Sequence, residues 1–525
     1  MNRIFKKIWN KHRGCFVAVS EAMTSASQRA GKAAITVALG AMAASAVQAA
    51  YVYNGDWYKG TLNGRNGHEY PMAADMTITG NFYFLTPASS DEDIFFIADT
   101  DGTGGYLDAV MTVNGNVYLA ADVSQKGGSR FTIANSNHGT NAVGVLNAKQ
   151  DVILTNNARL LVADAARTTT VGTLNVSGTL NIESGAVSMA SMYKQDNARS
   201  YAYANINNML VSGLFQTGYS TSGKGYGYST TNVNTVTINN GGWVDLVSDY
   251  VDTTFTVNNS LTLNAGGGLT TKESLIIGSA QTNRTTIAQT LNLNGGYLSN
   301  CSLLTQNQGT VNVGGGSYGF DTYNKTSGTL TNASTLSITN FNQSNGATTN
   351  SGNLTIGNAN LYGTLSNTGT LNLTGTVTSR GNLSSTGTLN NKGSWTEANA
   401  YTISGNLNNT GSVNFQNGFT LASNSRLTSS GTLQTNNAYN IFDSLGTTGQ
   451  QDLHYVSLNS SVPQEVKTSL SDFFQKYVAG TVAQDLINHA SFTGGKVIIT
   501  GVNLTQTQAD DLASAFKSKN YLPFS

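Results

Sequence analysis

Three groups of side chains are of types and spacings that do chemistry. The first is acidic. Asp99, Asp101 and Asp108 are separated by the turning residues Gly102, Gly104 and Gly105. Carboxylates gathered on a glycine-rich loop supply the hard oxygen ligands that calcium takes. The spacing lacks the bidentate acid that closes an EF-hand loop, and a solvated acidic turn accounts for the same residues. Calcium therefore stands as a possible ligand, and no other cofactor is expected. The second group is aromatic: Tyr201, Tyr203, Tyr219, Tyr226 and Tyr228, with Tyr193 ahead of them. Exposed tyrosines stack on sugar rings or partner proteins; the same rings also pack back on their own wall.

The third group is notable for its scarcity. Residues 301 to 440 contain only Asp321, Lys325, Arg380, Lys392, Glu397 and Arg426 as ionisable acids or bases. Glycan cleavage needs two close carboxylates, or an acid with a basic partner, to move protons. No catalytic residue is expected here. Two letter matches fail for the same kind of reason. Gly315 to Gly319 spells a nucleophile elbow, but the histidines after the leader, His68, His138, His454 and His489, are remote in sequence. Gly218 to Lys224 resembles a phosphate loop, yet Gly225 stands where a magnesium-binding hydroxyl belongs.

The element that must carry these residues is a repeat. Glycine recurs at Gly363, Gly369, Gly375, Gly381, Gly387 and Gly393, then at Gly405 and Gly411. Two residues after each comes an apolar side chain: Leu365, Leu371, Val377, Leu383, Leu389, Trp395, Leu407 and Val413. After a shift of two the beat runs through Leu421, Leu427, Leu433 and Tyr439. A period of six scatters apolar residues around a helix but suits a short strand, where Leu371 and Leu373 share one face. Asn and Gly between the units would supply left-handed backbone angles for the corners. One unit cannot bury its apolar row alone, so coils must stack, with ladders of asparagine and threonine along the stack. The predicted fold is mainly β: a parallel β-solenoid of roughly 18 to 22 residues per coil. A right-handed β-helix is preferred, although a hexad also suits the left-handed form.

Four segments follow. Residues 1–49 form an export leader, with a basic front, an apolar run from Ile35 to Val47, and cleavage after Ala49 or Ala50. Residues 50–166 are richer in aromatics and acids and read as a β-rich N-terminal cap over the first open edge. Residues 167–440 are the solenoid, beginning with Leu174, Val176, Leu180 and Ile182. Residues 441–525 read as a small α/β module. Its helices start near Pro463, Thr481 and Thr505, and Lys496 to Thr500 forms a strand.

The chain has 28 basic and 28 acidic residues. Seven of the basic ones, against the single acid Glu21, lie in the leader, so the remainder carries 21 basic and 27 acidic residues, a net charge of −6. That balance argues against a nucleic-acid partner. Cys15 lies in the leader, which leaves Cys301 alone and excludes an internal disulfide in the exported chain.

The front of the leader is more specific. Asn2, Ile4, Phe5, Lys6, Ile8, Trp9 and Asn10, followed by Val17, Ala18, Val19, Ser20 and Glu21, resemble the extended signal peptide of Gram-negative type V secretion proteins. Phe16 stands where that family usually has tryptophan. The resemblance implies Sec-dependent export from a Gram-negative bacterium, to the outer membrane, the cell surface or the medium. It also implies an autotransporter or adhesin passenger. Tyr521 to Ser525 end the sequence without the membrane barrel such proteins carry, so a passenger lacking its outer-membrane anchor is expected. The function expected is adhesion, self-association or biofilm formation through a polar wall. Its partners would be host surface proteins or glycans, or the same protein on neighbouring cells. A secreted β-helix enzyme acting on polysaccharide and a structural spacer are the alternatives.

Overall fold

The computed structural model describes most of residues 51–435, apart from 59–68, 73, 86–92, 100–106, 122–128, 137–139, 166–167, 193–197, 221–225, 423–424 and 430. It also describes four short strands at 5–10, 15–20, 490–493 and 496–499. All regular structure among the described residues is β-strand. Phe5–Asn10 and Cys15–Ser20 form an antiparallel hairpin in the leader. Ala490–Thr493 and Lys496–Ile499 form another in the C-terminal module, where a strand at 496 was expected. The helices expected there, and the cleavage residues Ala49 and Ala50, lie outside the described residues.

The chain divides into two compact units. The first comprises Met1–Met209, Leu214–Asn232 and Val247–Phe255; the second comprises Leu210–Gly213, Val233–Leu246 and Thr256–Ser525. Each is a stack of coils in which a strand pairs in parallel with its counterpart one coil later, which is a parallel β-solenoid.

The second unit shows why the hexad folds this way. In Thr370–Leu373 and Thr388–Asn391 the second and fourth residues are buried, while the first and third, threonine and asparagine, face out. Leu371 pairs with Leu389 and Leu389 with Leu407; Val377 pairs with Trp395 and Trp395 with Val413. Each step is 18 residues, as in the bond from Asn390 to Asn372, so three hexads close one coil and each contributes one face. Stacking leucine on leucine removes each apolar face from water, at about 25 cal/mol per Å² buried.

The corner glycines serve a different purpose from the one expected. Left-handed φ occurs at Gly309, Gly316, Gly328 and Gly346, but Gly363 through Gly411 do not have it. What excludes a side chain there is close approach between coils. A Cβ on Gly387 would collide with the backbone oxygens of Gly369 and Thr368, and one on Gly411 with those of Gly393 and Lys392.

The corners also hold buried amides. Asn332 donates to Asn350 at 2.6 Å, Asn350 to Asn367 at 2.6 Å, and Asn367 to Ser385 at 2.9 Å. Each of these asparagines also donates to backbone carbonyls, Asn350 to those of Gly352 and Thr370. These side chains point inward, sharing the face of the buried residue two positions earlier (Leu330, Thr348 and Leu365), because strand period is two.

In the first unit the coils are longer. Met76 pairs with Met111, and Asn116 bonds back to Asn81, 35 residues earlier. Later coils shorten, and Asn175 bonds to Asn147, 28 residues away. A wider coil encloses more volume, and phenylalanines fill it: Phe95 stacks on Phe131 with centroids 5.0 Å apart, and both meet Phe82 edge-on. The segment read as a cap is β-rich as expected. Its strands are already coils of the stack, from the pairing of Tyr51–Tyr53 with Met76–Ile78 onward.

Candidate functional site

Outward positions on the strands of the first unit place the tyrosines. Arg199–Val211 and Tyr226–Ile238 alternate buried and exposed residues over their early halves, and Ala202 and Ala204 fill the inner face. Tyr201 and Tyr203 face out from the first strand, Tyr226 and Tyr228 from the second. The Tyr201 ring stacks on Tyr228, with centroids 5.1 Å apart and planes within 8°. The Arg199 guanidinium lies over the Tyr226 ring, 5.3 Å from its centroid, and donates to the carbonyl of its neighbour Ala198. Such a contact steadies both groups while the ring remains exposed. Burial raises the Tyr203 phenol above its ordinary value, and neighbouring Tyr201 adds to the rise. Four of the five tyrosines singled out in the sequence therefore stand on two strands of one outward face. Tyr219 lies in Leu214–Ser220, its backbone paired with Ser191; its side chain lies outside the described residues.

Two of the three members of the acidic group are described. Asp99 is buried at the end of Asp93–Asp99 and accepts a hydrogen bond from the Asn135 amide at 3.1 Å. Asp108 begins the next strand, paired with Val143. Asp101 lies outside the described residues. Among the described residues no group of three or more His, Cys, Asp or Glu is placed to hold a metal ion.

A second aromatic column escaped the sequence reading. Tyr58, Tyr83 and Tyr118 stack face to face, with successive centroids 4.8 Å apart. Asn81 and Asn116 donate to the hydroxyls of Tyr83 and Tyr118. Beside it runs a ladder in which Asp56 accepts from the Asn81 backbone N–H, Asn81 from Asn116, Asn116 from Asp151, and Asp151 from Thr179. The signal was present in the sequence as Gly-Asp-Trp-Tyr at 55–58, Gly-Asn-Phe-Tyr at 80–83 and Gly-Asn-Val-Tyr at 115–118. Unequal coil lengths concealed the repeat.

Amide ladders continue this pattern on the outer wall. Asn232, Asn205, Asn175 and Asn147 form one in the first unit. Asn408, Asn390 and Asn372 form another in the second, at 2.8 Å per step. Two of the six ionisable residues between 301 and 440 lie inside. Lys325 is buried and donates to the carbonyls of Gly328 and Asn345. Glu397 is buried, with one oxygen accepting from the Asn399 N–H. Cys301 is a buried free thiol, which burial pushes up to about 11, so little thiolate is present for reaction.

The fold and surface define a parallel β-solenoid with a polar wall of amides, hydroxyls and stacked tyrosines. Residues 1–50 match a family model described as Extended Signal Peptide of Type V secretion system, which supports an autotransporter-type protein. That signal implies Sec-dependent export through the envelope of a Gram-negative bacterium, to the cell surface or into the medium. Neither the curated proteins nor the solved structures contain a match to this chain.

Proposed function

We propose that this protein is an adhesin-type passenger acting by surface contact and not by catalysis. The observation that carries this reading is the composition of the wall. Repeated amides and hydroxyls are fixed in register by their own ladders, and the pairs Tyr201–Tyr228 and Arg199–Tyr226 face outward, with Tyr226 and Tyr228 exposed. Amphipathic rings and preordered amides form many weak contacts at low entropic cost. With Lys325 and Glu397 inside, the outer wall from 301 to 440 has few groups left to move protons. The partners that fit are host surface proteins or glycans, or the same protein on a neighbouring cell.

The test is cell binding and cell aggregation by the purified exported chain, compared with Tyr201→Ala, Tyr226→Ala and Tyr228→Ala combined. The triple variant should keep its strand spectrum and lose most of the binding. Full binding by that variant would remove the tyrosine face from the proposal. No binding or aggregation by the parent chain would overturn the adhesin reading in favour of a spacer.

A further inference from the structure

A different aromatic surface lies in the second unit. Its strands Trp243–Asp245, Gly268–Ile277 and Tyr297–Gln306 pair in parallel, with Trp243, Gly268 and Tyr297 in one row and Asp245, Thr270 and Ser299 in another. The intervening Val244 and Leu269 are fully buried, so both rows belong to the outer face.

The indole of Trp243 does not stand away from this face; it lies down on it. A Cβ on Gly268 would clash with ring carbons Cε3, Cζ3 and Cδ2 of Trp243, so the six-membered ring fills the space the glycine leaves. The ring is pinned at its far edge, where Nε1 donates to the Thr270 hydroxyl at 3.0 Å. One face of the indole therefore rests on backbone and the other is turned to solvent, with 36% of the residue exposed. Tyr297, one strand beyond Gly268, is 63% exposed. Asp245, Thr270 and Ser299 line the neighbouring row with a carboxylate and two hydroxyls, all partly exposed.

This geometry differs from that of Tyr201 and Tyr228, whose facing surfaces are covered by each other. A pyranose has an apolar C–H face and a rim of hydroxyls. A flat, immobilised indole suits the first, and a carboxylate with flanking hydroxyls suits the second. Asp245 opposes an anionic sugar, and Lys272 and Glu273 at the adjacent bulge cancel in charge. We propose that Trp243, Tyr297 and Asp245 form a binding site for a neutral hexopyranose oligosaccharide. The sugar ring stacks on the open indole face and its hydroxyls donate to Asp245. The site gives the proposed adhesive function a glycan ligand class, and it rests on that reading.

The experiment follows tryptophan emission. Trp9 lies in the leader, and Trp57 and Trp395 are buried, so the emission of the exported chain reports an exposed tryptophan at Trp243. The exported chain is titrated with cellotetraose, maltotetraose and triacetylchitotriose, and with a heparin tetrasaccharide as the anionic comparison. A saturable change in emission is expected with at least one neutral sugar and not with heparin. Binding should be lost in Trp243→Ala. It should weaken about tenfold in Tyr297→Ala, Asp245→Asn and Gly268→Ala, as expected for the loss of one stacking or charge-assisted contact. Tyr297→Ala and Asp245→Asn alter only partly exposed groups and so keep the test valid if Trp243→Ala does not fold. Their binding is followed by calorimetry as well as emission. No saturable binding of any neutral sugar, undiminished binding in these two variants, or preference for heparin would overturn the site. If the chain still promotes cell adhesion but binds no sugar, this site alone fails. If it binds sugar but promotes no adhesion or aggregation, the adhesin reading alone fails.

Discussion

The side-chain amide of Asn391 donates to the amide oxygen of Asn409 across one coil, at 2.7 Å, with both residues buried. Asn409 in turn donates to Ser429 and to the carbonyl of Thr432. Leu373 holds the equivalent place one coil before Asn391, where it can donate nothing, and Asn391 Oδ1 is accordingly without a hydrogen bond. Buried amides of this kind are stabilising only as a series, because each satisfies its neighbour.

Removing a central member should therefore cost more than its own bonds. Asn350→Ala deletes donors to Asn367 and to two carbonyls, and it strips Asn332 of its acceptor. Each orphaned buried group costs about 1–3 kcal/mol, whereas the outward, partly exposed Asn372→Ala should cost less than about 1 kcal/mol. Denaturant unfolding of the two variants checks the difference; equal midpoints would contradict it.

Gly387→Ala isolates the corner contact. Its φ is not left-handed, so backbone strain is no obstacle; the added methyl must instead push the Gly369 coil away. Overpacking of this size costs about 1–3 kcal/mol. Thr388→Ala, at the next residue, which opens the strand and faces out, is the comparison and should be close to neutral. Thermal melts of both would show whether close approach, and not conformational freedom, selects glycine.

These two cases show what was legible in the sequence. The hexad revealed strand length, inward face and coil size, because three equal faces of one stack preserve the period in the chain. The inward asparagines were not foreseen, although Asn367 follows Leu365, and Asn391 follows Leu389, by the two residues that return a strand to the same face. Polarity argued for the outside, and the neighbouring coil that satisfies the amide is 18 residues away. The Tyr58–Tyr83–Tyr118 column was hidden because its coils differ in length. The bed for Trp243 depends on the pairing partner Gly268, which local sequence does not reveal.

Lys325 stands between two glutamines in its column. Gln306 and Gln343 flank it in register, and each donates to two backbone carbonyls as Lys325 does. Burial pushes the lysine down to about 8. Below that pH the folded chain must keep a desolvated charge; between about 8 and the ordinary 10.5 the unfolded chain holds more proton than the folded one, so stability rises with pH. Lys325→Gln should raise the unfolding midpoint at pH 7 and abolish the rise between pH 8 and 10.5. A lowered midpoint at pH 7 would mean that the ammonium itself is needed.

Glu397 gives the opposite slope. It sits in Ser394–Glu397 between Ser379 and Phe415 in the adjoining coils. Its second oxygen, the Ser379 hydroxyl and the Trp395 indole N–H are buried without a well-formed hydrogen bond. Burial raises its carboxyl from 4.5 to about 7, so the folded chain favours the neutral acid. Between about 4.5 and 7 the folded state holds more proton than the unfolded state, and linkage then makes stability fall as pH rises. The contribution is complete below 4.5 and lost by the time pH passes 7. In Glu397→Gln, which keeps the shape and cannot ionise, the pH 5 and pH 7.5 unfolding midpoints should converge relative to the parent. The parent should also exchange the amide hydrogens of Ser394–Glu397 and Ser412–Phe415 faster at pH 7.5 than at pH 5, after correction for the intrinsic rate. If the same difference persists in Glu397→Gln, the pH response arises elsewhere in the stack and the buried carboxyl is not its source.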